Sequence, residues 1–410
     1  LQAGYMVKEG ITNSLLIQLK QATHTLDDVV VTGYSTQRRT KVTGAVSQIS
    51  GEVLEDRPSP GLTRLLQGTL PNLNLRMVDG SPIRGASYNV RGTTSIGAGG
   101  AALVLIDGVE GNPDFINPND VESVTVLKDA SSAAIYGSRA AFGVVLITTK
   151  SAKRDAVKIN FSSSYSINQR TVTPKLITNG YEWAKNFDES FAGWNDYTSH
   201  PTVVNNIFPF SLEYLDRLRQ HDENPSLPKV EYNSALGRYE YFGNTDWFKE
   251  LYKDRIPSTE QSVSVSGGSE KANFYLSGRY YFQDGIFNDN TDKFNKYNLR
   301  AKGEVAIKPW LKVQNNFELS NYTYTFPMLA DRDNQTIWRM MDLLSFPMAT
   351  IYNPDGTFSH TGVYSGIGAF KAGNNESKTT DIYFRNTVAL EAKVLKDQLK
   401  LRTDFTYSRE

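Results

Sequence analysis

Cysteine, histidine and long apolar runs are scarce or absent in this 410-residue sequence. The absence of Cys excludes a disulfide scaffold, a zinc–thiolate site and a cysteine nucleophile. The four His are scattered, so no His-built metal or proton-transfer centre is expected. No apolar run approaches the roughly 18 residues of a membrane-spanning helix. The 44 Lys and Arg balance 44 Asp and Glu, so no net charge attracts nucleic acid or an anionic membrane surface.

Sequence motifs of common enzymes are also missing. A glycine-rich stretch at 97–100 lacks the GK[ST] of a phosphate loop and favours a flexible turn. There is no GxSxG, HExxH or EF-hand pattern. The sequence therefore predicts a protein that is not an enzyme, without a cofactor or a bound metal.

Aromatic residues and glycine divide the chain near residue 150. Residues 1–150 hold six aromatic side chains and no Trp, whereas all five Trp lie in 151–410. Seventeen of the 31 Gly fall in the first part. This shift predicts a domain boundary between a compact, turn-rich mixed α/β domain and a region that needs many Tyr and Phe.

The second region alternates between apolar and polar residues. A period of two is typical of strands with one apolar face. Seven segments of about 9–14 residues show it, a length suited to tilted strands that cross a bilayer. The apolar positions are Val157, Ile159, Phe161, Tyr165, Ile167, Val263, Val265, Ala272, Phe274, Leu276, Tyr280, Phe282, Tyr297, Leu299, Ala301, Val305, Ile307, Leu311, Val313, Phe317, Leu319, Ile382, Phe384, Val388, Leu390, Ala392, Val394, Leu399, Leu401, Phe405 and Tyr407.

Short and long links alternate between these predicted strands. The short links are 267–270, 308–310 and 395–398, and the long ones are 168–257, 284–292 and 326–377. Outer-membrane barrels have short periplasmic turns and long extracellular loops, although a soluble sandwich or propeller can show the same alternation. In a barrel, aromatic residues near the strand ends would form interfacial girdles: Tyr280, Tyr281, Phe282, Trp310, Tyr322, Tyr324 and Phe326.

Seven strands do not close a bacterial barrel, for which an even number of eight or more is the rule. An open sheet edge in lipid would leave unpaired backbone groups at several kcal/mol each. We therefore expect the sequence to be a portion of a larger protein.

Residues 26–150 contain several distinctive segments. The first is Leu26-Asp27-Asp28-Val29-Val30-Val31-Thr32-Gly33. The others contain Arg91-Gly92 in VRGTTSI, Asp107-Gly108 in LVLIDGV, Glu122, Lys128 and Asp129 in INPNDVESVTVLKDA, and Tyr136, Gly137 and Arg139 in AAIYGSR. Together these segments resemble SusC/RagA-type TonB-dependent transporters: the first is similar to the family's TonB box and the others to its plug motifs. Ser35 and Phe142 depart from the residues usual in the family.

The resemblance implies a transmembrane antiparallel β-barrel of 22 strands with an N-terminal α/β plug domain in its lumen. The expected divisions are the tail of a β-sandwich extension at 1–25, the TonB box at 26–34, the plug at 35–150 and the first seven or so barrel strands at 151–410. The long loops 168–257 and 326–377 would be extracellular.

Three consecutive Val in the box favour an extended chain that can add to the edge of a partner's sheet. The alternative is a strand buried in the domain itself. The plug charges have two interpretations as well. They form either solvated surface ion pairs, or wet, exchangeable contacts with a polar barrel lumen.

The first long loop is rich in aromatic residues next to Asn and Asp. Flat rings beside amides and carboxylates suit sugar rings, so Trp183, Trp194 and Trp247 are candidate substrate contacts. The alternative is that these rings pack the loop on itself and on a partner lid.

The resemblance implies TonB-dependent import of oligosaccharides, or less often peptides, across the outer membrane of a Gram-negative bacterium. The implied partners are TonB with ExbB/ExbD, a SusD-like surface lipoprotein and outer-membrane lipid, and no nucleic acid. The alternatives are a siderophore or vitamin receptor, or a barrel-anchored adhesin or signalling receptor.

Overall fold

The computed structural model describes most of the chain. It describes two short strands at 29–32 and 35–38, and then the ranges 46–55, 57–77, 80–90, 101–151, 156–205, 208–327, 345–364, 366–373, 376–394 and 399–410. The expected extension at 1–25 and the link at 395–398 lie outside the described residues. So do six expected site residues: Leu26, Asp27, Asp28, Gly33, Arg91 and Gly92.

The first nine strands precede residue 150. They are β1 Val29–Thr32, β2 Ser35–Arg38, β3 Val46–Ser50, β4 Asn74–Met77, β5 Ala86–Asn89, β6 Leu103–Ile106, β7 Val109–Glu110, β8 Val121–Leu127 and β9 Val144–Thr149. The later strands are β10 Lys158–Gln169, β11 Val203–Val204, β12 Phe208–Pro209, β13 Val230–Asn233, β14 Arg238–Tyr241, β15 Arg255–Gly268, β16 Ala272–Asp284, β17 Lys293–Lys308, β18 Leu311–Pro327, β19 Glu376–Val394 and β20 Leu399–Arg409.

Seven α-helices and four short 3₁₀ segments lie in the described ranges. The helices are α1 Leu62–Leu66, α2 Ala130–Ala133, α3 Gly180–Trp194, α4 Leu212–Glu223, α5 Trp247–Leu251, α6 His360–Tyr364 and α7 Ile367–Ala372. The 3₁₀ segments are Gly51–Val53, Pro113–Phe115, Pro118–Asp120 and Ala134–Ala140. Within these ranges, none of the helices has the length and hydropathy needed to cross a membrane.

Residues 46–150, here called the N-terminal unit, are built on a five-stranded sheet. Its strand order is β3-β8-β9-β6-β7; the β6–β9 pair is parallel and the other pairs are antiparallel. β8 and β9 are rich in β-branched residues, and nearly every position of both is buried, as expected of central strands covered on two faces. Leu62 and Leu66 of α1 pack on one face beside Val124 and Ile147.

The second region forms one seven-stranded antiparallel sheet, here called the wall. Its order β10-β15-β16-β17-β18-β19-β20 makes every strand the neighbour of the next long strand in sequence. The predicted seven-stranded antiparallel sheet is thus confirmed, and it lies beside a mixed α/β unit. The strands are longer than predicted, since β17, β18 and β19 have 16, 17 and 19 residues. The ladder pairing extends beyond the positions where apolar and polar residues alternate. Pairing satisfies the backbone N–H and C=O groups whatever the side chains are, so it need not end where the alternation ends.

The wall exposes its apolar face and buries its polar one. On β17, Tyr297 and Leu299 are 55% and 49% exposed, whereas Lys296 and Arg300 on either side of this pair are 2% and 1% exposed. The polar face is buried against the N-terminal unit, as the contacts described below show. This is the reverse of a soluble sandwich, in which the apolar faces meet each other.

Four residues of the expected aromatic girdle lie on the inner face of the wall: Tyr281, Tyr322, Tyr324 and Phe326. Tyr281 and Tyr324 are 1% and 7% exposed and cluster with Phe294 and with Ile83 of the N-terminal unit. Because side chains alternate along a strand, Tyr281 and the Tyr280 beside it must point to opposite faces. The expectation that all the aromatic residues near the strand ends face outward was therefore wrong.

The long links share a hydrophobic core of their own, here called the loop core. Rings from the first long link, such as Phe208, Tyr214 and Trp247, pack with Phe287 of the shorter link and Phe346 of the last one. These links join the same end of the wall strands, which brings their side chains together. The loop core makes the described parts of the three links one packed body.

Candidate functional site between the N-terminal unit and the wall

Asp107 and Gly108 form the two-residue turn between β6 and β7. Ile106 pairs directly with Val109, and the φ angles of Asp107 and Gly108 are +49° and +87°. Two positive φ angles are the mark of a type I′ turn, for which Asp-Gly is a preferred sequence. The turn presents the Asp107 carboxylate to the wall.

The Asp107 carboxylate accepts hydrogen bonds from both sides of the interface. Within its own unit, Thr149 donates to it from its backbone N at 2.9 Å and from its Oγ1 at 2.5 Å. From the wall, Asn316 Nδ2 donates at 2.8 Å, and Lys302 Nζ and Arg300 Nη1 lie 3.6 and 3.7 Å away. Burial raises the pKa of Asp107, but the two cations and the Thr149 hydrogen bonds outweigh it and lower that pKa to about 2.

Asp120 is a second carboxylate of the N-terminal unit that faces the wall. It ends the 3₁₀ segment Pro118–Asp120 and is 2% exposed. Tyr275 Oη donates to its Oδ1 at 2.9 Å, Ser277 Oγ donates to its Oδ2 at 2.8 Å, and Arg300 Nε lies 3.4 Å from Oδ2. Burial raises the pKa of Asp120, against the Arg300 charge and the two hydrogen bonds, which lower it.

Two of these partners, Ser277 and Arg300, belong to a row of polar side chains that crosses four wall strands. Ser277, Arg300, Glu318 and Arg385 are directly opposite one another in register on β16, β17, β18 and β19. Arg385 Nη2 donates to Glu318 Oε2 at 2.6 Å, and Arg300 Nη2 lies 3.3 Å from Glu318 Oε1. Arg300 Nε and Nη2 have no hydrogen-bond partner among the described residues, so they meet Asp120 and Glu318 as ion pairs only.

We call this set the Arg300 cluster. It contains three cations, Arg300, Lys302 and Arg385, and three carboxylates, Asp107, Asp120 and Glu318. Its net charge is therefore zero. The desolvation of buried ions roughly offsets their mutual attraction, so such a cluster adds little net stability. Removing one partner, however, leaves a charge buried and unpaired, which costs about 3–5 kcal/mol.

A second set of wall side chains donates to backbone carbonyls of the N-terminal unit. Lys296 Nζ donates to Pro60 O at 3.0 Å, and Asn298 Nδ2 donates to Phe115 O at 2.6 Å. Arg279 donates to the Ser59 carbonyl. Wall side chains thus hold loops of the unit through its main chain. No group of three or more His, Asp or Glu in the described part of the chain is arranged to hold a metal ion.

The remaining predicted residues of the unit are not members of the Arg300 cluster. Asp129 is the N-cap of α2 and accepts from Ser132 N at 3.3 Å, as its sequence position predicts. Gly137 has a φ of +62°, which breaks the 3₁₀ segment Ala134–Ala140. Arg139 forms an exposed ion pair with Glu110.

Three more predicted residues of the unit differ in burial. Glu122 is exposed on β8, Lys128 follows that strand half-buried, and Tyr136 packs half-buried beside Val144 and Leu146.

The strands Val29–Thr32 and Ser35–Arg38 form an antiparallel hairpin in which Val30 is opposite Gln37. The box valines therefore pair with the chain that follows them.

The three candidate tryptophans have different surroundings. Trp247 is 5% exposed, and its Nε1 donates to Phe346 O at 2.9 Å. Trp183 stacks on Phe187 with ring centroids 5.4 Å apart, at the edge of the loop core. Trp194, at the end of α3, is 89% exposed. The positions of Trp183 and Trp247 favour the packing alternative.

The wall residues of the Arg300 cluster were not predicted. Alternation marks their face as polar, but it does not show that the face is covered by another unit. The available signal is long cationic side chains at positions of one parity, such as Lys296, Arg300 and Lys302 on β17. Such a run on a buried face indicates acidic or carbonyl partners opposite it.

Comparison with known proteins agrees with this geometry. Residues 38–144 match the TonB-dependent Receptor Plug Domain. TonB-dependent receptor P26 of Formosa agariphila is 30% identical over 87% of this chain, and the match covers 32% of that protein. TonB-dependent receptor SusC of Bacteroides thetaiotaomicron is 29% identical over 72% of this chain and 26% of its own length.

Among solved structures, the RagAB peptide importer in its open-open state is similar with a TM-score of 0.65. It is 26% identical, and the match covers 93% of this chain and 42% of that one. The chain belongs to the SusC/RagA-like TonB-dependent receptors. The N-terminal unit is its plug, and the wall is a sheet like that of the family's barrels. The chain spans about a third of the length of the curated relatives that it matches.

Proposed function

We propose that the protein imports oligosaccharides, or less often peptides, across the outer membrane of a Gram-negative bacterium. TonB, energised by ExbB/ExbD, would supply the force, and a SusD-like lipoprotein would cap the extracellular side. Family membership supports the TonB-dependent route, and the similarity to RagAB, a peptide importer, supports peptides as the second class of cargo. The proposed work is conformational rather than chemical.

The buried polar contact between plug and wall is the observation that carries this proposal. A permanent core would be apolar and interdigitated, whereas this contact consists of ion pairs and of bonds to backbone carbonyls. Water can replace such partners as the plug moves, because it forms hydrogen bonds with the polar groups that become uncovered. Apolar side chains uncovered in the same way would gain no such partner. A modest pull then suffices to separate the plug from the wall.

The exposed apolar face of the wall supports a position in lipid. Phe161 and Tyr165 on β10 and Phe405 on β20 are 71%, 70% and 72% exposed. A soluble protein rarely leaves so continuous an apolar surface uncovered. Hydrocarbon covers it in the proposed setting, and the backbone groups of the five inner strands, β15 to β19, are paired on both sides within the sheet.

Substrate contact in the loops is proposed for Trp194. Its exposed indole at the end of α3 is free to stack on a ligand, whereas the Trp247 indole is enclosed in the loop core. The proposed lipoprotein would meet the loop core from outside. A body with many buried rings, such as Phe208 and Phe287, is rigid enough to serve as its seat.

The experiment compares two proline variants of the full-length transporter in its native host. Val30→Pro removes a backbone donor from the box, whereas Gln37→Pro breaks the same hairpin from the other strand, outside the box. Growth is measured on starch, laminarin, xylan, mannan or casein peptides as the sole carbon source. Val30→Pro is expected to abolish growth on the cargo, and Gln37→Pro to preserve it. Normal growth of Val30→Pro cells would remove the box from the mechanism.

A further inference from the structure

A cavity of about 590 Å³ opens on the extracellular links, beside the hairpin β13–β14. We call it the hairpin pocket. Its walls come from the first half of α4, from both hairpin strands and from the last long link. Its volume is in the range of small-ligand sites, and it lies outside the contact between plug and wall. The Arg300 cluster does not contribute to it.

The hairpin pocket is lined by both aromatic faces and hydrogen-bonding groups. Tyr232 is 61% exposed, and its ring meets that of Tyr239 edge to face at 5.3 Å. Asn233 and Asn353 add amides, and the pocket carries Glu213 and Glu240 against Arg217 and Arg238. Two acids and two bases cancel, so the pocket does not select a charged ligand. A neutral ligand with an apolar face and a rim of hydroxyls satisfies both kinds of wall.

The polar groups of the pocket are held in place before any ligand arrives. Arg217 Nη2 donates to Glu231 Oε2 at 2.6 Å, Arg217 also pairs with Glu240, and its guanidinium lies 4.6 Å from the centre of the Phe242 ring. Tyr241 Oη donates to Asn353 Oδ1 at 2.9 Å, which ties the hairpin to the last link. A site that is ordered in advance loses less entropy on binding.

From this arrangement we propose that the hairpin pocket binds a neutral sugar chain, with Tyr232 as the stacking platform. The assignment rests on the proposed import function: the hairpin pocket would be the first binding site that the oligosaccharide meets on the outer surface. It is distinct from the Trp194 contact, since Trp194 does not line the pocket.

The test uses the purified full-length transporter in detergent and isothermal titration calorimetry. The probes are hexasaccharides of starch, laminarin, xylan and mannan, a polygalacturonate hexamer and a casein peptide mixture. At least one neutral hexasaccharide is expected to bind to the wild type. Tyr232→Ala is expected to weaken the affinity for that hexasaccharide about tenfold. Tyr232→Phe, which keeps the ring, is expected to bind as the wild type does. Tyr197→Ala is the matched control, because Tyr197 is an exposed tyrosine of the same link outside the pocket.

Three outcomes would overturn the proposal: no neutral hexasaccharide binds, only the acidic hexamer or the peptides bind, or Tyr232→Ala and Tyr197→Ala weaken binding equally. Because Tyr232 is largely exposed, its replacement leaves folding intact. Failure of the import function is separate: the Val30→Pro and wild-type cells would then grow alike while the calorimetric result stood unchanged.

Discussion

Two carboxylates of the plug face the same wall arginine, and their environments move their pKa values in opposite directions. Asp107 has Lys302 as a second cation and two hydrogen bonds from Thr149, which lower its pKa to about 2. Asp120 is more deeply enclosed, and burial raises its pKa. The low pKa of Asp107 keeps it ionised at ordinary pH, so it remains an anionic partner for Arg300 and Lys302.

Replacing Asp107 by Asn tests the role of that charge. Asn keeps the size of the side chain and is equally suited to a type I′ turn. A carboxylate with a lowered pKa stabilises the folded state above its unfolded pKa of 3.8, and that stability is lost as the pH falls towards 2. Asp107→Asn should therefore cost about 2 kcal/mol at neutral pH. Chemical denaturation measures the free energy of unfolding of the variant and of the wild type, and the difference between them should shrink between about pH 4 and pH 2. A difference that stayed constant with pH would contradict this role of the Asp107 charge.

Arg300 is the cation that three carboxylates share. Arg300→Met preserves much of the side-chain volume but leaves Asp120 and Glu318 buried without their common partner, which costs about 3–5 kcal/mol. In the purified full-length protein, protease should cleave the plug of this variant at a lower temperature than it cleaves the plug of the wild type. Arg402→Met is the control, since Arg402 lies on wall strand β20 but is half exposed and pairs with Asp404. Equal sensitivity of the two variants would show that the cluster does not seat the plug.

At the scale of elements, alternation in the sequence was enough to predict the seven antiparallel strands, because the apolar residues on the exposed face of a strand recur at every second position. The loop core was not predicted as such. Its members, such as Phe208, Phe287 and Phe346, come from three links without a shared periodicity. Only the return of the strands to the same end of the sheet brings these links together.

The cross-strand row through Arg300 was not predictable for a related reason. Which residue of β17 lies opposite Glu318, and which residue of β19 follows, depends on register, and a shift by one residue would turn every side chain to the other face. Register between β18 and β19 is set across the long link between them, and the sequence of that link does not reveal it. The Asp-Gly turn, by contrast, is local, and its conformation follows from the two residues themselves.

Trp247 and Trp194 provide a matched pair at this scale. Trp247→Ala empties a buried site and leaves the Phe346 carbonyl without its donor, so it should destabilise the loop core by about 3–5 kcal/mol. Trp194→Ala removes an exposed ring and should change stability by less than about 0.5 kcal/mol. Protease cleavage within the first long link, measured against temperature, separates the two variants. Equal resistance would mean that Trp247 does not hold the links together.

At the scale of the whole molecule, the plug approaches the wall closely where it has no side chain. Gly111 follows β7, and a Cβ added there would lie 2.9 Å from Ile106 Cδ1, 3.4 Å from Arg385 Nη1 and 3.7 Å from Tyr383 Oη. The last two atoms belong to wall strand β19. A Cβ alone would crowd Ile106 of the plug itself and only touch the two wall atoms at ordinary contact distance. The additional methyl groups of a branched side chain would reach further and would act as a wedge between the two bodies.

Gly111→Val is the test of that seat. Its methyl groups should push the plug away from β19, weaken the contacts of Arg385 and leave a path for solutes along the wall. Cells with the full-length variant should become sensitive to vancomycin, a large antibiotic that the outer membrane normally excludes. Gly80→Val is the control, because a Cβ at Gly80 meets no atom within 4 Å. If both variants were equally resistant and supported normal growth, the plug would have room at this contact, and close seating against β19 would not be what closes the proposed transporter.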